Sequence, residues 1–224
     1  VDCIEKLFEE YGLNFHAYRD SKFSCIVQFE DEYFYNHPGF NPISMFKALR
    51  DNVNSGKVKR GGSTLTQQVI RLSRKGQSRT YLEKVKEVIL ATRLELRDSK
   101  EEILAYYSSN APFGGNVVGL DAAAWRYFNR DAHQLSWAES ATLAVLPNAP
   151  SLIYPGKNQE RLLQKRNRLL KKLVENEIID SLTYNLSIAE GLPKKPYALP
   201  QIAPHLLQKV ATTNRGERTQ TTID

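Results

Sequence analysis

A chain of 224 residues is long enough for one domain with a buried core, or one domain of two lobes. Its formal charge of +6, from 31 basic and 25 acidic residues, is a modest excess. It suits an anionic partner without choosing among nucleic acid, anionic lipid and a phosphorylated substrate. No apolar run reaches about 18 residues, which excludes a membrane-spanning helix in this sequence. Val1 opens the chain with neither Met nor a signal-peptide pattern, which reads as a segment separated from any targeting or anchoring element.

In chain order, Cys3 and Cys25 come first, with no CxxC and no His at ligand spacing. Metal binding by them is not expected. They read as two ordinary thiols, with a disulfide as the alternative outside the cytoplasm. Ser24–Phe29 is the best strand candidate, ending at the adjacent carboxylates Glu30 and Asp31. A compact turn, Phe34-x-x-His37-x-Gly39, follows. Asn41-Pro42 reads as an N-cap with Pro in the first helical position, opening a helix over NPISMFKALRDNV. The basic residues Lys57, Lys59 and Arg60 lead into GGSTLTQQ at 61–68, where Gly61-Gly62 permit positive φ and Ser63 can cap a helix through Gln68 and Arg71. Three S/T-x-x-E capping boxes come next, Thr80/Glu83, Ser99/Glu102 and Ser136/Glu139, each before an apolar-periodic run. Loops are expected at 110–116 and 147–157. A helix, basic on its outer face, is expected at Gln159–Glu175. Beyond Gly191, four prolines (193, 196, 200, 204) and a polar tail read as a weakly structured connection. The expected fold class is mainly α.

Three clusters can carry chemistry. Glu30 and Asp31 can stand at a cleft wall, where a carboxylate supplies general acid or base. His37 beside them reads first as a structural imidazole bonded to the backbone. Gly62, Ser63, Thr64, Gln67 and Gln68 offer small donors and close backbone approach at a helix N-terminus, which suits a polyoxygenated or anionic ligand. In Arg79, Lys84, Lys86 and Glu87, the i,i+3 spacing puts Lys84 and Glu87 on one helix face. The plain reading is a solvated salt bridge. The sharper one is a carboxylate flanked by cations, suited to a pyrophosphate and its metal ion.

The ordered segments Glu30–Gly39, Gly61–Gln68, Arg79–Glu87, Ser99–Gly115 and Ala138–Pro155 resemble the peptidoglycan glycosyltransferase (transglycosylase) domain of class A penicillin-binding proteins. APFGGNVVGLDAAAWRYF and LSWAESATLAVLPNAPS are most similar to its C-type subgroup. The resemblance implies a lysozyme-like, mainly helical domain over 1–190. Within it, about 40–75 would form a smaller, mobile, membrane-facing lobe. Residues 191–224 would be a Pro-rich linker towards a transpeptidase domain outside this sequence. It implies polymerisation of lipid II into β-1,4 glycan strands, with inversion and release of undecaprenyl diphosphate at the periplasmic face of a bacterial membrane. Glu30 matches the general base and Glu87 the second carboxylate, which orients the diphosphate through a divalent cation such as Mg²⁺ or Mn²⁺. Substrate-binding positions fall on Asp31, Phe34, His37, Gly62, Ser63, Thr64, Gln67, Gln68, Arg71, Arg79, Lys84, Ser109 and Asn110. The implied partners are lipid II, the growing strand, the membrane surface, other cell-wall synthesis proteins and moenomycin-type inhibitors; nucleic acid is not among them.

The chain departs from the family pattern at Glu83, where Arg is usual, and at Ser109, where Asn is usual, with Asn110 one place on. Phe40, Ile43, Met45 and Phe46, ahead of the basic loop, read either as the core face of an amphipathic helix or as a membrane-dipping segment. The rivals are a lysozyme-like muramidase or lytic transglycosylase, which needs no cationic diphosphate site, and a basic nucleic-acid-binding module, which needs exposed aromatics among its cations.

Overall fold

The computed structural model describes residues 22–55, 62–74, 80–198 and 204–213, and these are mainly helical. In order they are α1 (Lys22–Glu30), a 3₁₀ turn (Phe34–Asn36), α2 (Pro42–Ser55), α3 (Leu65–Ser73), α4 (Tyr81–Arg97) and α5 (Lys100–Asn110). Then come α6 (Leu120–Phe128), a second 3₁₀ turn (Ala132–Gln134), α7 (Trp137–Val145), α8 (Gln159–Glu175), α9 (Ser181–Ala189) and α10 (Pro204–Thr213). Among the described residues the only bridge pairs are isolated, Pro112 with Val118 and Tyr154 with Lys157. No described helix is long and apolar enough to cross a membrane.

α7 is the hub. Every residue from Ala138 to Val145 is buried, and α1, α6, α8 and α9 all pack on it. Its capping box is complete: Ser136 Oγ accepts from Glu139 N–H, and the Glu139 carboxylate accepts from Ser136 N–H at 2.9 Å. The Ser99/Glu102 box on α5 is also complete. Thr80 caps α4, but the Glu83 carboxylate turns instead to Arg74 and Lys86, 2.9 Å from each. α3 packs on α4 and α5, making a second body of helices that carries the polar motif at 62–68.

Several expectations change. Ser24–Phe29 is not a strand but most of α1, with Cys25, Ile26 and Val27 buried in succession. A short apolar run buried on all sides shows no period, so a strand and an interior helix look alike in sequence. Ser63 is not the cap of α3. Thr64 is, accepting from Gln67 N–H while its own hydroxyl donates to Gly39 O at 2.7 Å. Gly61 lies outside the described residues, so the expected turn at Gly61-Gly62 falls there too. α8 is basic on its outer face, with Arg161, Arg168 and Lys171 exposed, and it also buries one cation, Arg166, which donates to Glu190 O and Ile188 O and ties α8 to the end of α9. Pro204–Thr213 is a helix that takes in the first three residues of the polar tail; the rest of that tail lies outside the described residues. Cys25 is a buried free thiol, which burial pushes well above the usual thiol range; Cys3 lies outside the described residues, as do Lys57, Lys59 and Arg60.

Candidate active site

Glu30 is the last residue of α1, where a helix made inflexible by the core runs out. Its Oε2 accepts from Gln68 Nε2 of α3 at 2.9 Å, while Oε1 is buried without a partner. Burial raises the pKa of Glu30 above its ordinary value. The Gln68 hydrogen bond and the charge of Lys165 on α8 oppose that rise, and Asp31 adds to it. A carboxylate lifted in this way is a stronger base than a solvated one.

Asp31 follows directly and is spent on structure. Its oxygens accept from His37 Nε2 at 3.0 and 3.1 Å and from Leu65 N–H at 2.9 Å. His37 Nδ1 accepts from Gly39 N–H at 3.2 Å, so the ring carries its proton on Nε2. Gly39 has φ +88, and a Cβ there would lie 2.7 Å from the backbone of Ala91 in α4. These bonds bind the turn after Glu30 to the start of α3 and to the middle of α4. Phe34 is fully buried beneath the turn, with Lys100 Nζ 4.4 Å from its ring centre. Phe34 and His37 therefore hold the floor of the site; neither lines it.

The second charged centre joins α3 to α4. Arg71 grips Glu87 with two parallel bonds, Nε to Oε1 and Nη2 to Oε2, each 2.8 Å. Nη2 also donates to Ser63 Oγ at 3.1 Å. Lys84 Nζ donates to Ser63 Oγ at 2.8 Å, to Gln67 Oε1 at 2.6 Å and to Glu87 Oε2 at 3.4 Å. Burial works against the ionised form of Glu87, but the hydrogen bonds and charges of Arg71 and Lys84 outweigh it and hold the carboxyl below its usual range. Burial likewise lowers Lys84, with Glu87 opposing, whereas Arg71 is raised chiefly by its bond to Glu87. Two cations against one carboxylate leave a net positive charge. Glu83 lies outside this centre and draws Arg74 and Lys86 to itself.

One cleft of about 690 Å³ runs from Glu30 to the Ser63 and Arg71 edge of the charged centre, whose Lys84 and Glu87 are not among its lining residues. Glu30 and Asp31 line it together with Gly62, Ser63, Thr64, Gln68 and Arg71. Gln67 is buried behind it, positioning Lys84. Ser109 and Asn110 are not brought there: both are exposed at the end of α5, and Asn110 borders a separate groove with Tyr106 and Arg97. Arg79 lies outside the described residues. The cleft also gains residues the sequence did not single out, Asn148 and Lys172. Lys172 Nζ donates to Gln28 O and pairs with Glu32, 2.8 Å from each. The basic periodicity of α8 was the visible signal for Lys172, but nothing in it says which wall it faces.

Glu87 is a single carboxylate whose two oxygens are engaged by Arg71 and Lys84. Mg²⁺ is typically held by one or two carboxylates together with waters and substrate phosphates, so Glu87 offers one ligand of a set that a bound diphosphate would have to complete. Among the described residues no group of three or more acidic, His or Cys side chains is placed to hold a metal.

The family model described as Transglycosylase matches residues 14–174 of this chain. Penicillin-binding protein 1C of Escherichia coli (strain K12) is 36% identical over 200 residues, covering 89% of this chain and 26% of that protein. Penicillin-binding protein 1A of Aquifex aeolicus (strain VF5) is 34% identical over 172 residues, covering 77% and 24%. A crystal structure of penicillin-binding protein 1A from Haemophilus influenzae aligns with a TM-score of 0.42 at 23% identity, over 68% of this chain and 20% of that one. The chain thus spans about a quarter of the length of the curated relatives it matches.

Proposed function

The chain belongs to the transglycosylase family, and on that premise we propose that it is a peptidoglycan glycosyltransferase, joining lipid II to a growing glycan strand for cell-wall synthesis. The observation that carries this reading is the pairing, along one cleft, of a buried basic carboxylate with the Ser63 and Arg71 edge of a preformed cationic centre.

Glu30, ionised, takes the proton of the acceptor sugar's 4-hydroxyl. The freed oxygen forms its bond to C1 of the donor sugar as the C1–O bond to the diphosphate breaks. The bonding pair leaves with the diphosphate, the configuration inverts from α to β, and the proton remains on Glu30. A sugar hydroxyl is a weak nucleophile, so a base within hydrogen-bond reach is needed. The leaving diphosphate gathers negative charge, and Arg71 and Lys84, already ordered by Glu87, Ser63 and Gln67, meet it without reorganising. We assign to these two cations the counter-charge that a divalent ion would otherwise supply. Gln68 holds the base, and Gly62, Ser63 and Thr64 form the ligand edge of the cleft. The proposed setting is the periplasmic face of a bacterial cytoplasmic membrane, with other cell-wall synthesis proteins as partners and moenomycin-type compounds as inhibitors.

Labelled lipid II, followed by gel separation of products, tests the reading. Wild-type protein is expected to give polymer, and Glu30→Gln is expected to lose at least roughly a thousandfold in turnover while melting at the same temperature. Retained polymerisation in that variant would overturn the base assignment. Cleavage of mature wall glycan without polymer would point to a lytic enzyme instead.

A further inference from the structure

Thr66 stands in the polar motif at 62–68, next to Gln67 and Gln68, which serve the two charged centres, but its own bond goes elsewhere. It is fully buried, and its hydroxyl donates to Glu95 Oε1 on α4 at 2.5 Å. Glu95 Oε2 pairs with Lys100 Nζ at the start of α5, also at 2.5 Å. Lys100 Nζ in turn donates to His37 O at 2.8 Å, in the turn that follows Glu30, and lies 4.4 Å from the centre of the Phe34 ring. The Glu95 side chain is 6% exposed and that of Lys100 18%. These contacts run from α3 through the end of α4 and the start of α5 back to the base's own turn. A buried ion pair adds little stability over apolar side chains of the same volume, so stability alone is a weak reason for one here.

We infer that Glu95 is a positioning residue for the reaction. With Thr66 and Lys100 it sets the rotation of α3, and through α3 the placement of Gln68 against Glu30 and of Gln67 and Arg71 against Lys84 and Glu87. The inference rests on the reading of Glu30 as base and of Arg71 and Lys84 as the diphosphate's counter-charge. Successive residues of an α-helix point about 100° apart, so Thr66, Gln67 and Gln68 face three directions, to Glu95, Lys84 and Glu30. A helix held on one side can turn; held on three, it cannot turn without breaking a bond. Glu95 stands roughly 12 Å beyond Glu87 along α4, so α3 is fastened to that helix at two separated places, Thr66 to Glu95 and Arg71 to Glu87. The leverage on rate is large, because a misplacement of about 1 Å can cost on the order of a hundredfold.

Thr66→Val keeps the size of the side chain, leaves the Glu95–Lys100 pair in place and removes the hydroxyl that links it to α3. In labelled lipid II polymerisation its kcat is expected to fall roughly tenfold to a hundredfold, with KM within about twofold of wild type. Thr66→Ser loses a methyl but keeps the hydroxyl, and should recover kcat to within about threefold. Glu95→Met should lose at least as much as Thr66→Val; where it fails to fold, Thr66→Val carries the test. Ile179→Val thins the core at a residue outside the cleft. It should lower Tm and leave the kcat of folded protein unchanged, as a merely structural loss does.

A second readout needs no turnover. The side-chain ¹⁵N signal of Gln68, assigned by its loss in Gln68→Ala, should shift in Thr66→Val and stay in place in Thr66→Ser and Ile179→Val. The inference is wrong if Thr66→Val, or a folded Glu95→Met, keeps kcat within about twofold of wild type, or if Thr66→Ser falls as far as Thr66→Val. A Gln68 signal unmoved in Thr66→Val, or a kcat that follows Tm across these variants, would likewise overturn it. If wild-type protein makes no polymer, the reading of function fails, and the Gln68 signal still decides whether the Thr66–Glu95 bond positions α3.

Discussion

Asp31 accepts from His37 on both oxygens and from Leu65 N–H, whereas its neighbour Glu30 accepts one bond, from Gln68. That difference separates a carboxylate held on three bonds from the one we propose as the base. Asp31→Ala strands a buried N–H and an imidazole, and is expected to cost on the order of 2–4 kcal/mol. Its loss of activity should follow the unfolded fraction in thermal melts, with KM unchanged wherever the protein is folded; a raised KM in folded protein would return Asp31 to substrate binding. For Glu30 the raised pKa fixes the sign of the pH dependence. Activity is present while the carboxylate is ionised and is lost as pH falls through a value above the usual carboxylate figure of about 4.3. An acid limb in kcat/KM at or below that figure would contradict the desolvated base. At the cationic end, Arg71→Gln should lower kcat by roughly 10²–10³-fold, as loss of a preorganised charge does. Arg71→Lys keeps the charge and should retain activity within about tenfold, so equal losses in the two variants would show that the paired geometry with Glu87, not the charge, is what matters.

The site depends on how α1, α3 and α4 are fastened at one turn. Thr64 caps α3 and donates to Gly39 O, Asp31 accepts from the first residue of α3, and Gly39 lies against Ala91 of α4. Gly39→Ala combines positive φ with a 2.7 Å approach to backbone atoms that cannot give way. A cost on the order of 3 kcal/mol follows, which for a domain of this size is a Tm drop of roughly 6–12 °C; a melt unchanged within about 2 °C would show that the turn can shift. Helix starts marked by local chemistry were legible in the sequence: the Asn41-Pro42 cap, the Ser99 and Ser136 boxes and the full extent of Gln159–Glu175. Capping is a matter of four or five consecutive residues, so it is written locally. α1 was misread because its buried run carries no period, and Ser63 because two adjacent hydroxyls can each cap and only tertiary partners choose between them. Lys84 with Glu87 could be read from spacing. Arg71 with Glu87 could not, because it joins two helices whose packing no local pattern states.

At the scale of the whole molecule, the proposed reaction sets a constraint: a lipid-linked donor would keep its tail in the bilayer while its sugar reaches Glu30. On that proposal the cleft sits at the membrane surface, and we propose that α2 brings it there. Asn41 and Ser44, at its start, line the cleft. Ile43 and Phe46 turn outwards, 65% and 68% exposed, while Phe40 and Met45 are half-buried, so the segment presents an outward apolar face beside a packed one. Lys47 and Arg50 are exposed on the same helix, and on α4 Leu82, Val85 and Ile89 are exposed beside Lys86 and Arg93. Apolar side chains among cations suit an anionic interface, where ring burial and charge attraction add. Phe46→Ser is therefore expected to weaken binding to vesicles containing phosphatidylglycerol by roughly tenfold, with Tm unchanged within about 2 °C because the ring is mostly exposed. Raising the salt should weaken binding of wild type and variant alike, since the charges remain in both. Unchanged vesicle binding in Phe46→Ser would detach α2 from the membrane, and a large fall in Tm would put the ring back into a core.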